Sequence, residues 1–211
     1  MVDSSPAFVK DNYGGVQITD LALLPETEQE FDEALTKWIA EWKADGVRSV
    51  QVRFKPPKCH LMNPAAKHGF YFHHAKQQEG YVLMILWLDE KVPCRMPPFA
   101  HHYLGVGGLC LNEKREIVLI QENRTRDARL WKLPGGFVDG GERLSAASVR
   151  EVKEESGVEA EFVGILGLRE QVKWKYGASD LYVACILMGQ AGQEIDVQDK
   201  REVKQARWVP L

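Results

Sequence analysis

The sequence predicts an α/β protein built from two small domains. Three observations support this prediction: segments of alternating or buried apolar residues typical of strands, segments with apolar residues at helical spacing, and a proline-rich stretch at residues 93–98 with the composition of a linker. A chain of 211 residues is long enough for one large domain or two small ones. We therefore expect an N-terminal α/β domain at residues 1–96 and a second domain at residues 97–211.

The first domain is predicted to start with a loose polar segment and a strand at residues 16–24. Thr27 and Glu30 have the spacing of a capping box, which predicts the start of a helix. The helix is expected to run to Gly46 with a buried stripe made of Phe31, Leu35, Trp38, Ile39 and Trp42. Further strands are predicted at residues 49–55, 70–73 and 81–88, with a helical turn at residues 59–67.

The second domain alternates strands with one helix. Strands are predicted at residues 103–111, 116–121, 161–171, 180–188 and 206–209. Between the second and third of these strands, the sequence Leu133-Pro134-Gly135-Gly136 predicts a loop whose backbone can approach a ligand closely, because glycine has no side chain. A helix follows this loop, and Gly157 is expected to end it.

An acidic cluster dominates this helix. Glu151, Glu154 and Glu155 are three and four residues apart, so they share one helical face, while Val149 and Val152 lie on another face that can dock to a core. Like charges at this distance repel each other unless a cation neutralises them. Mg²⁺ and Mn²⁺ prefer oxygen ligands, so the cluster predicts a divalent metal site.

The stretch GFVDGGERLSAASVREVKEESGV, residues 136–158, resembles the Nudix box. The residues that match that pattern are Gly136, Glu142, Arg150, Glu151, Val152, Glu154, Glu155, Gly157 and Val158, and no position departs from it. The resemblance implies a Nudix α/β/α sandwich. It also implies an enzyme that hydrolyses nucleoside diphosphates linked to another group.

The first domain resembles the N-terminal domain of one Nudix subgroup, through residues 68–75 and 102–108. That subgroup includes plant ADP-ribose and NADH pyrophosphatases and the animal growth-factor-antisense Nudix protein. The resemblance implies a small α/β, acetyltransferase-like domain. Because the first domain has no Arg/Gln-x-x-Gly-x-Gly loop for a pyrophosphate, we do not expect it to transfer acetyl groups.

The resemblance also implies roles for the box residues. The carbonyl of Gly136 and the carboxylates of Glu151, Glu154 and Glu155 are the expected ligands of Mg²⁺ or Mn²⁺. Arg150 is expected to pair with Glu142 and to hold the loop against the helix. The general base stays open between Glu155 and Glu202. Since the sequence shows no nucleophilic serine or cysteine motif, direct attack by a metal-activated water is the expected route.

The residues predicted to bind substrate are Arg124, Arg129, Trp131, Lys132 and Trp174. The alternative, in which the arginines are solvated and the aromatic residues are packed, is left open. The subgroup resemblance alone favours ADP-ribose or an NADH-like dinucleotide. Two other functions compete: hydrolysis of capped RNA, and a regulatory protein whose catalysis is weak.

Charge, hydropathy and cysteine content limit the expected partners and the cellular compartment. A net charge of −3 provides no broad basic surface for nucleic acid, and the longest apolar run, residues 81–88, is too short to cross a membrane. The four cysteines lie far apart, so reduced thiols in the cytoplasm are expected, with the nucleus and mitochondrion left open.

Two further expectations concern aromatic and histidine residues. The tryptophan stripe is interpreted as core, but its size also suggests a homodimer interface. Adjacent strand residues point to opposite faces, so neither His73-His74 nor His101-His102 is expected to chelate one ion.

Overall fold

The computed structural model describes residues 9–123, 130–190 and 192–211. The chain divides into two compact units, Met1–Ala100 and His101–Leu211, and each unit contains a five-stranded mixed sheet. The α/β class predicted from the sequence is therefore confirmed. The expected domain boundary after residue 96 lies near the division between the units.

The first unit packs helices on one face of its sheet. Its strands are β1 (Val9–Lys10), β2 (Gly15–Ile18), β3 (Ser49–Phe54), β4 (Tyr71–Lys76) and β5 (Tyr81–Trp87), in the spatial order β1-β2-β3-β5-β4. Strands β2 and β3 are parallel, and the other neighbours are antiparallel. Its α-helices are α1 (Glu28–Ala44) and α2 (Met62–Lys67), and a 3₁₀ turn occupies Leu21–Leu23, where the strand predicted from residue 16 has already ended.

Helix α1 forms where its sequence predicts it. The Thr27 hydroxyl accepts a hydrogen bond from the Glu30 amide at 3.2 Å, and the Glu30 carboxylate accepts one from the Thr27 amide at 3.2 Å. Both indole rings of the stripe, Trp38 and Trp42, are fully buried in this unit's own core. The core interpretation is confirmed, so the stripe has no surface left to support a homodimer.

The structure contradicts the premise that the side chains of His73 and His74 point to opposite faces of the strand. A bulge in β4 between Phe72 and His74 interrupts the alternation of side chains, and the Nδ1 atoms of the two histidines lie 2.6 Å apart. A bulge adds one residue to a strand and so redirects the side chains that follow. The two imidazole rings therefore share a hydrogen bond.

The second unit has strands β6 (His102–Leu111), β7 (Glu116–Glu122), β8 (Ala160–Gln171), β9 (Ser179–Gly189) and β10 (Val203–Pro210), in the spatial order β10-β7-β6-β9-β8. Strands β6 and β9 are parallel, and they lie at the centre of the sheet. Helix α3 (Leu144–Ser156) packs on one face over a core that includes Val106, Val118 and Val183. Within the described ranges, no helix is long and apolar enough to span a bilayer.

Candidate metal centre and active site

Helix α3 is fixed to the core by its small and branched residues. Ala147 and Val152 are fully buried, and Val149 is partly buried against the same core. The helix ends at Gly157, whose φ of +76° is a left-handed conformation that glycine adopts without strain. A side chain at this position would also meet the Asp196 carbonyl oxygen at 2.2 Å. The register of the acidic residues along α3 is therefore set at both its packed face and its end.

The glycine loop brings backbone groups against these acidic residues. The Gly135 amide donates a hydrogen bond to the Glu155 carboxylate at 2.5 Å. An added Cβ at Gly136 would lie 2.6 Å from the Glu151 carboxylate, and one at Gly135 would lie 2.1 Å from the Val106 carbonyl oxygen. Gly135 therefore requires glycine, because a side chain there would collide with the backbone of β6. A side chain at Gly136 would displace the Glu151 carboxylate.

Arg150 connects the loop and the helix, as the box resemblance implied. Its Nε and one terminal nitrogen each donate to the Glu142 carboxylate at 2.9 Å, which is the bidentate geometry of a strong ion pair. The other terminal nitrogen donates to Glu151 at 2.7 Å and to Glu154 at 3.4 Å. A further bond reaches the Phe137 carbonyl at 3.0 Å. The Arg150 guanidinium holds the pKa of Glu142 down at about 2.

The three box glutamates lie in different environments. The Glu154 side chain is 54% exposed, whereas Glu151 is 12% exposed and Glu155 only 4%. Burial raises the pKa of the Glu155 carboxyl to about 8, although nearby Lys132 acts in the opposite direction. Burial also raises the pKa of Glu151, against the opposing effect of Arg150. A buried carboxyl group is costly to ionise unless a cation or hydrogen-bond donors compensate it, which makes Glu155 a candidate ligand for a cation.

Two glutamates from outside the box, Glu122 and Glu202, lie beside Glu155. Oxygens of Glu122, Glu155 and Glu202 lie within 4.8 Å of one another. Glu122 ends β7, and Glu202 lies in the loop before β10. Asn123 joins these two segments: its amide donates to the Glu202 carbonyl at 2.8 Å, and its side chain donates to the Lys200 carbonyl at 3.0 Å.

Lys132 supplies a cation beside this group. Its ammonium forms an ion pair with Glu122, and its charge opposes the raised pKa of Glu155. Lys132 was predicted to bind substrate phosphate. The structure places its ammonium beside the carboxylates, where it offsets part of their mutual repulsion, and the substrate role stays a prediction.

The donor set is suited to a hard divalent cation. The carboxylates that converge are those of Glu122, Glu155 and Glu202. The expected ligands Glu151, Glu154 and the Gly136 carbonyl likewise offer only oxygen atoms. Mg²⁺ and Mn²⁺ take such oxygen ligands. The carbonyl of Gly136 already accepts a hydrogen bond from the Val106 amide at 2.9 Å and keeps a second lone pair.

The predicted substrate residues fall into three groups. Arg124 and Arg129 lie outside the described residues. Trp131 is stacked by the Arg207 guanidinium, whose central carbon is 3.9 Å from the centre of the indole ring. Trp174 contacts two other aromatic rings near the glycine loop, those of Tyr103 and Phe137.

Sequence reasoning missed Glu122 and Phe137. Glu122 lies at the carboxyl end of a strand, just before an arginine-rich segment, and that position was the one available signal. Phe137 lies inside the box at a variable position, where no pattern marks it. The described residues around Glu122 also line a cleft of about 320 Å³ with Asp199, Arg201 and Glu202, which gives the carboxylates access to solvent.

Comparisons with known proteins place this chain in a family. A family model described as "NUDIX domain" matches residues 101–211, and one described as "Nudix hydrolase domain" matches residues 7–88. Nudix hydrolase 8 of Arabidopsis thaliana is 36% identical over 203 residues, which are 95% of this chain and 54% of that protein. Nudix hydrolase 2 of the same plant is 35% identical and is matched over 71% of its length.

The animal relatives agree with the subgroup expected from the sequence. Nucleoside diphosphate-linked moiety X motif 6 of Mus musculus is 35% identical over 182 residues, which are 84% of this chain and 57% of that protein. The chain therefore spans little more than half the length of some of its curated relatives. A solved MutT Nudix hydrolase from Burkholderia pseudomallei is 28% identical, with a TM-score of 0.42 and coverage of 51% of this chain and 82% of that one. By its family models and its relatives, the chain belongs to the Nudix hydrolase family.

Proposed function

We propose that this chain is a divalent-metal-dependent hydrolase of nucleoside diphosphates linked to another group, with ADP-ribose or an NADH-like dinucleotide as its substrate. One observation carries the proposal: carboxylate oxygens of Glu122, Glu155 and Glu202 converge within 4.8 Å beside the glycine loop. The name of the mouse relative, nucleoside diphosphate-linked moiety X motif 6, agrees with this substrate class.

Mg²⁺ or Mn²⁺ would be held by the box carboxylates and the Gly136 carbonyl, where a bound ion neutralises diphosphate charge and lowers the pKa of a bound water. Glu151, Glu154 and Glu155 are the proposed ligands. Glu155 is fixed for this role, since the Gly135 amide holds one of its carboxylate oxygens. Arg150 positions Glu151 and Glu154 through its own hydrogen bonds.

We assign the proton acceptor for the attacking water to Glu202. Glu202 is exposed and lines the cleft. Glu155 is buried, and one of its carboxylate oxygens already accepts a hydrogen bond from the Gly135 amide. The hydrogen bonds from Asn123 to this segment hold Glu202 near the other carboxylates. A proton acceptor must reach the substrate water within hydrogen-bond distance, and an exposed side chain on a fixed loop satisfies that requirement.

A substrate panel tests the proposal. Purified protein is assayed with Mg²⁺ or Mn²⁺, and with EDTA, against ADP-ribose, NADH, diadenosine polyphosphates, coenzyme A and capped RNA. We expect hydrolysis of ADP-ribose or NADH that depends on the metal. Glu155→Gln and Glu202→Gln should lose it, while Glu161→Gln, which changes an exposed carboxylate on β8, should not. Turnover that persists in EDTA, or a preference for capped RNA, would refute this assignment.

Two expectations remain predictions of this proposal. A homodimer was inferred from the tryptophan stripe, whose burial in the core removes that argument. A cytoplasmic location was inferred from the cysteines. Light scattering on the purified chain measures the first, and fractionation of cells that express it measures the second.

A further inference from the structure

The two faces of the sheet in the first unit are covered differently. Val50 and Val52 of β3 face the helices and lie in the main core of this unit. Because side chains alternate along a strand, Ser49 and Gln51 face the other way. Gln17 of β2 is aligned with Gln51 on that second face. The second face therefore carries amide and hydroxyl groups where β2 and β3 lie side by side.

The apolar part of the second face is covered by residues 94–99, which we call the strap. Met96 of the strap packs against a buried cluster on β5 that includes Ile85. The Pro97 carbonyl accepts a hydrogen bond at 2.8 Å from Nε2 of His73 on β4. These contacts hold the strap on β4 and β5, and they leave the polar groups of β2 and β3 beside it.

A cleft of about 700 Å³ lies between the strap and the turn that joins β1 to β2. This volume is in the range of sites for small molecules. The floor of the cleft includes Ser49 and Gln51, and Trp87 lines it as well. The Trp87 indole N–H already donates to the Asp89 carbonyl at 2.8 Å and to the Val92 carbonyl at 3.0 Å. Trp87 therefore offers a ligand apolar surface but no donor.

Polar groups on the floor of the cleft are left with capacity for a ligand. Ser49 is only 3% exposed, yet none of the described side chains forms a hydrogen bond with its hydroxyl. Oδ1 of Asp11 accepts hydrogen bonds from the Tyr13 and Gly15 amides, both at 2.8 Å. Oδ2 meets the Gln51 side-chain amide at 3.4 Å, which is long for a hydrogen bond. It can therefore accept a shorter bond from a ligand.

Two arginines add positive charge to the cleft. The Nε of Arg48 donates to Asp89 at 3.1 Å, and the guanidinium carbon lies 5.5 Å from the centre of the Trp87 ring. These contacts fix the guanidinium but do not use its terminal nitrogens. Arg95 is exposed on the strap, and it forms no ion pair with another described residue. Guanidinium groups suit phosphate, because two N–H donors match two of its oxygens.

We propose that this cleft binds a sugar phosphate, with the phosphate held by Arg48 and Arg95 and the sugar hydroxyls held by Gln51 and Asp11. A hydroxyl both donates and accepts, so an amide and a carboxylate side by side can satisfy it. Phosphate is favoured over carboxylate because arginines from two separate segments can share its three oxygens. The residues of this site belong to the first unit, whereas the carboxylates of the proposed metal centre belong to the second. The inference therefore goes beyond the proposed hydrolysis and does not depend on it.

The competing explanation is that the arginines attract any small anion. Inorganic phosphate tests this explanation, because it has the charge without the sugar hydroxyls. Ribose tests the reverse case, because it has hydroxyls without the charge. If the cleft recognises both parts, ribose 5-phosphate should bind at least about tenfold more tightly than either probe.

Calorimetry on the full chain in EDTA measures binding of these three probes, so that no metal-dependent site contributes. Arg95→Gln should weaken ribose 5-phosphate by about 10- to 150-fold and leave ribose unchanged, because it removes charge-assisted hydrogen bonds. Gln51→Leu should weaken ribose 5-phosphate and ribose alike, by about 2- to 13-fold. Lys67→Gln is the matched control, since it removes an exposed cation of α2 in the same unit and should leave binding unchanged.

Three results would overturn the proposal: no binding of ribose 5-phosphate in EDTA, inorganic phosphate that binds as tightly, or equal weakening in Arg95→Gln and Lys67→Gln. Unchanged ribose 5-phosphate binding in Gln51→Leu would contradict the sugar contacts. Binding that is lost in Glu155→Gln and kept in Arg95→Gln would place the ligand at the metal centre and also overturn it. Because Arg95 is exposed, Arg95→Gln should melt like wild type, so a loss of binding reports the contact itself.

Discussion

Helices α1 and α3 differ in the residues that they bury. Helix α1 has 17 residues, and its buried side chains are all apolar: Phe31, Leu35, Trp38 and Trp42. Helix α3 has 13 residues, and its buried set mixes apolar and polar groups: Ala147, Ser148, Val152, Glu155 and Ser156. A full capping box starts α1, whereas Arg143 before α3 makes no side-chain cap.

The difference separates a helix that stabilises a fold from one that carries a site. In α1 every local rule agrees with the fold, so burial and capping both favour the native state. In α3 the rules are broken at Glu155, where a carboxylate is buried without a paired arginine of its own. Such departures persist where function requires them, and they predict opposite responses to substitution in the two helices.

The largest expected effect is on stability in α1. Trp38→Ala should lower the free energy of unfolding by about 3–5 kcal/mol, because it leaves a large cavity in a fully buried site. Glu33→Ala, at an exposed position of the same helix, should change it by less than about 0.5 kcal/mol. Urea unfolding of both variants measures the difference. Similar values for the two would show that the tryptophan stripe does not support the first unit.

The corresponding change in α3 should act on activity instead. Glu155→Gln should reduce metal-dependent turnover on the order of 10²–10³-fold, since one ligand carries several kcal/mol of the ion's effect. Without metal the melting temperature should hold or rise, because an amide replaces a buried carboxylate. Turnover and melting in EDTA are measured on the same preparation. A variant that keeps wild-type turnover would rule out Glu155 as a ligand.

Arg150→Ala should affect both properties at once. The guanidinium holds Glu142, Glu151 and the Phe137 carbonyl, so its loss leaves several acceptors without their donor. We expect a loss of about 2 kcal/mol in stability together with most of the activity. Melting and turnover of Arg150→Ala and of Arg143→Ala, a neighbouring exposed arginine, separate this role from a general charge effect. An inactive variant that melts like wild type would mean that Arg150 touches substrate.

Acid should weaken this same ion pair. The pKa of Glu142 is lowered to about 2 by Arg150, so its stabilising contribution is complete above the unfolded-state value near 4.5. That contribution is lost as the pH falls from about 4.5 towards 2. The difference in melting temperature between wild type and Glu142→Gln should therefore be constant from pH 7 to 5. It should then narrow progressively as the pH falls from about 4.5 towards 2. A difference that is unchanged at pH 3 would contradict the lowered pKa.

Local patterns predicted the structural elements well. The capping box at Thr27 and the stripe through Trp38 and Trp42 depend on residues within one helix, so periodicity was sufficient to find them. The box spacing likewise predicted the ion pair between Glu142 and Arg150, because both residues lie in one short segment.

Features that depend on distant segments could not be predicted. Glu122 meets Glu155 and Glu202 only through the sheet order, and Trp131 meets Arg207 only because β10 lies beside β7. The rings of Tyr103 and Trp174 come together in the same way. The bulge in β4 that turned His73 and His74 together has no sequence signature.

The smallest expected effects come from the two helix starts, and they should have opposite signs. Thr27→Ala removes the side chain that caps α1 and should cost about 1 kcal/mol. Arg143 has the extended backbone of a capping position, φ −85° and ψ 146°, but no side-chain cap, so Arg143→Asn should stabilise the second unit by a similar amount. Each kcal/mol shifts the melting temperature of a unit of this size by about 4–8 °C. Calorimetry of both variants measures the shifts, with turnover of Arg143→Asn as a check on the loop. If Arg143→Asn does not stabilise, the start of α3 is already satisfied by other groups, and the contrast between the helices rests on their buried residues alone.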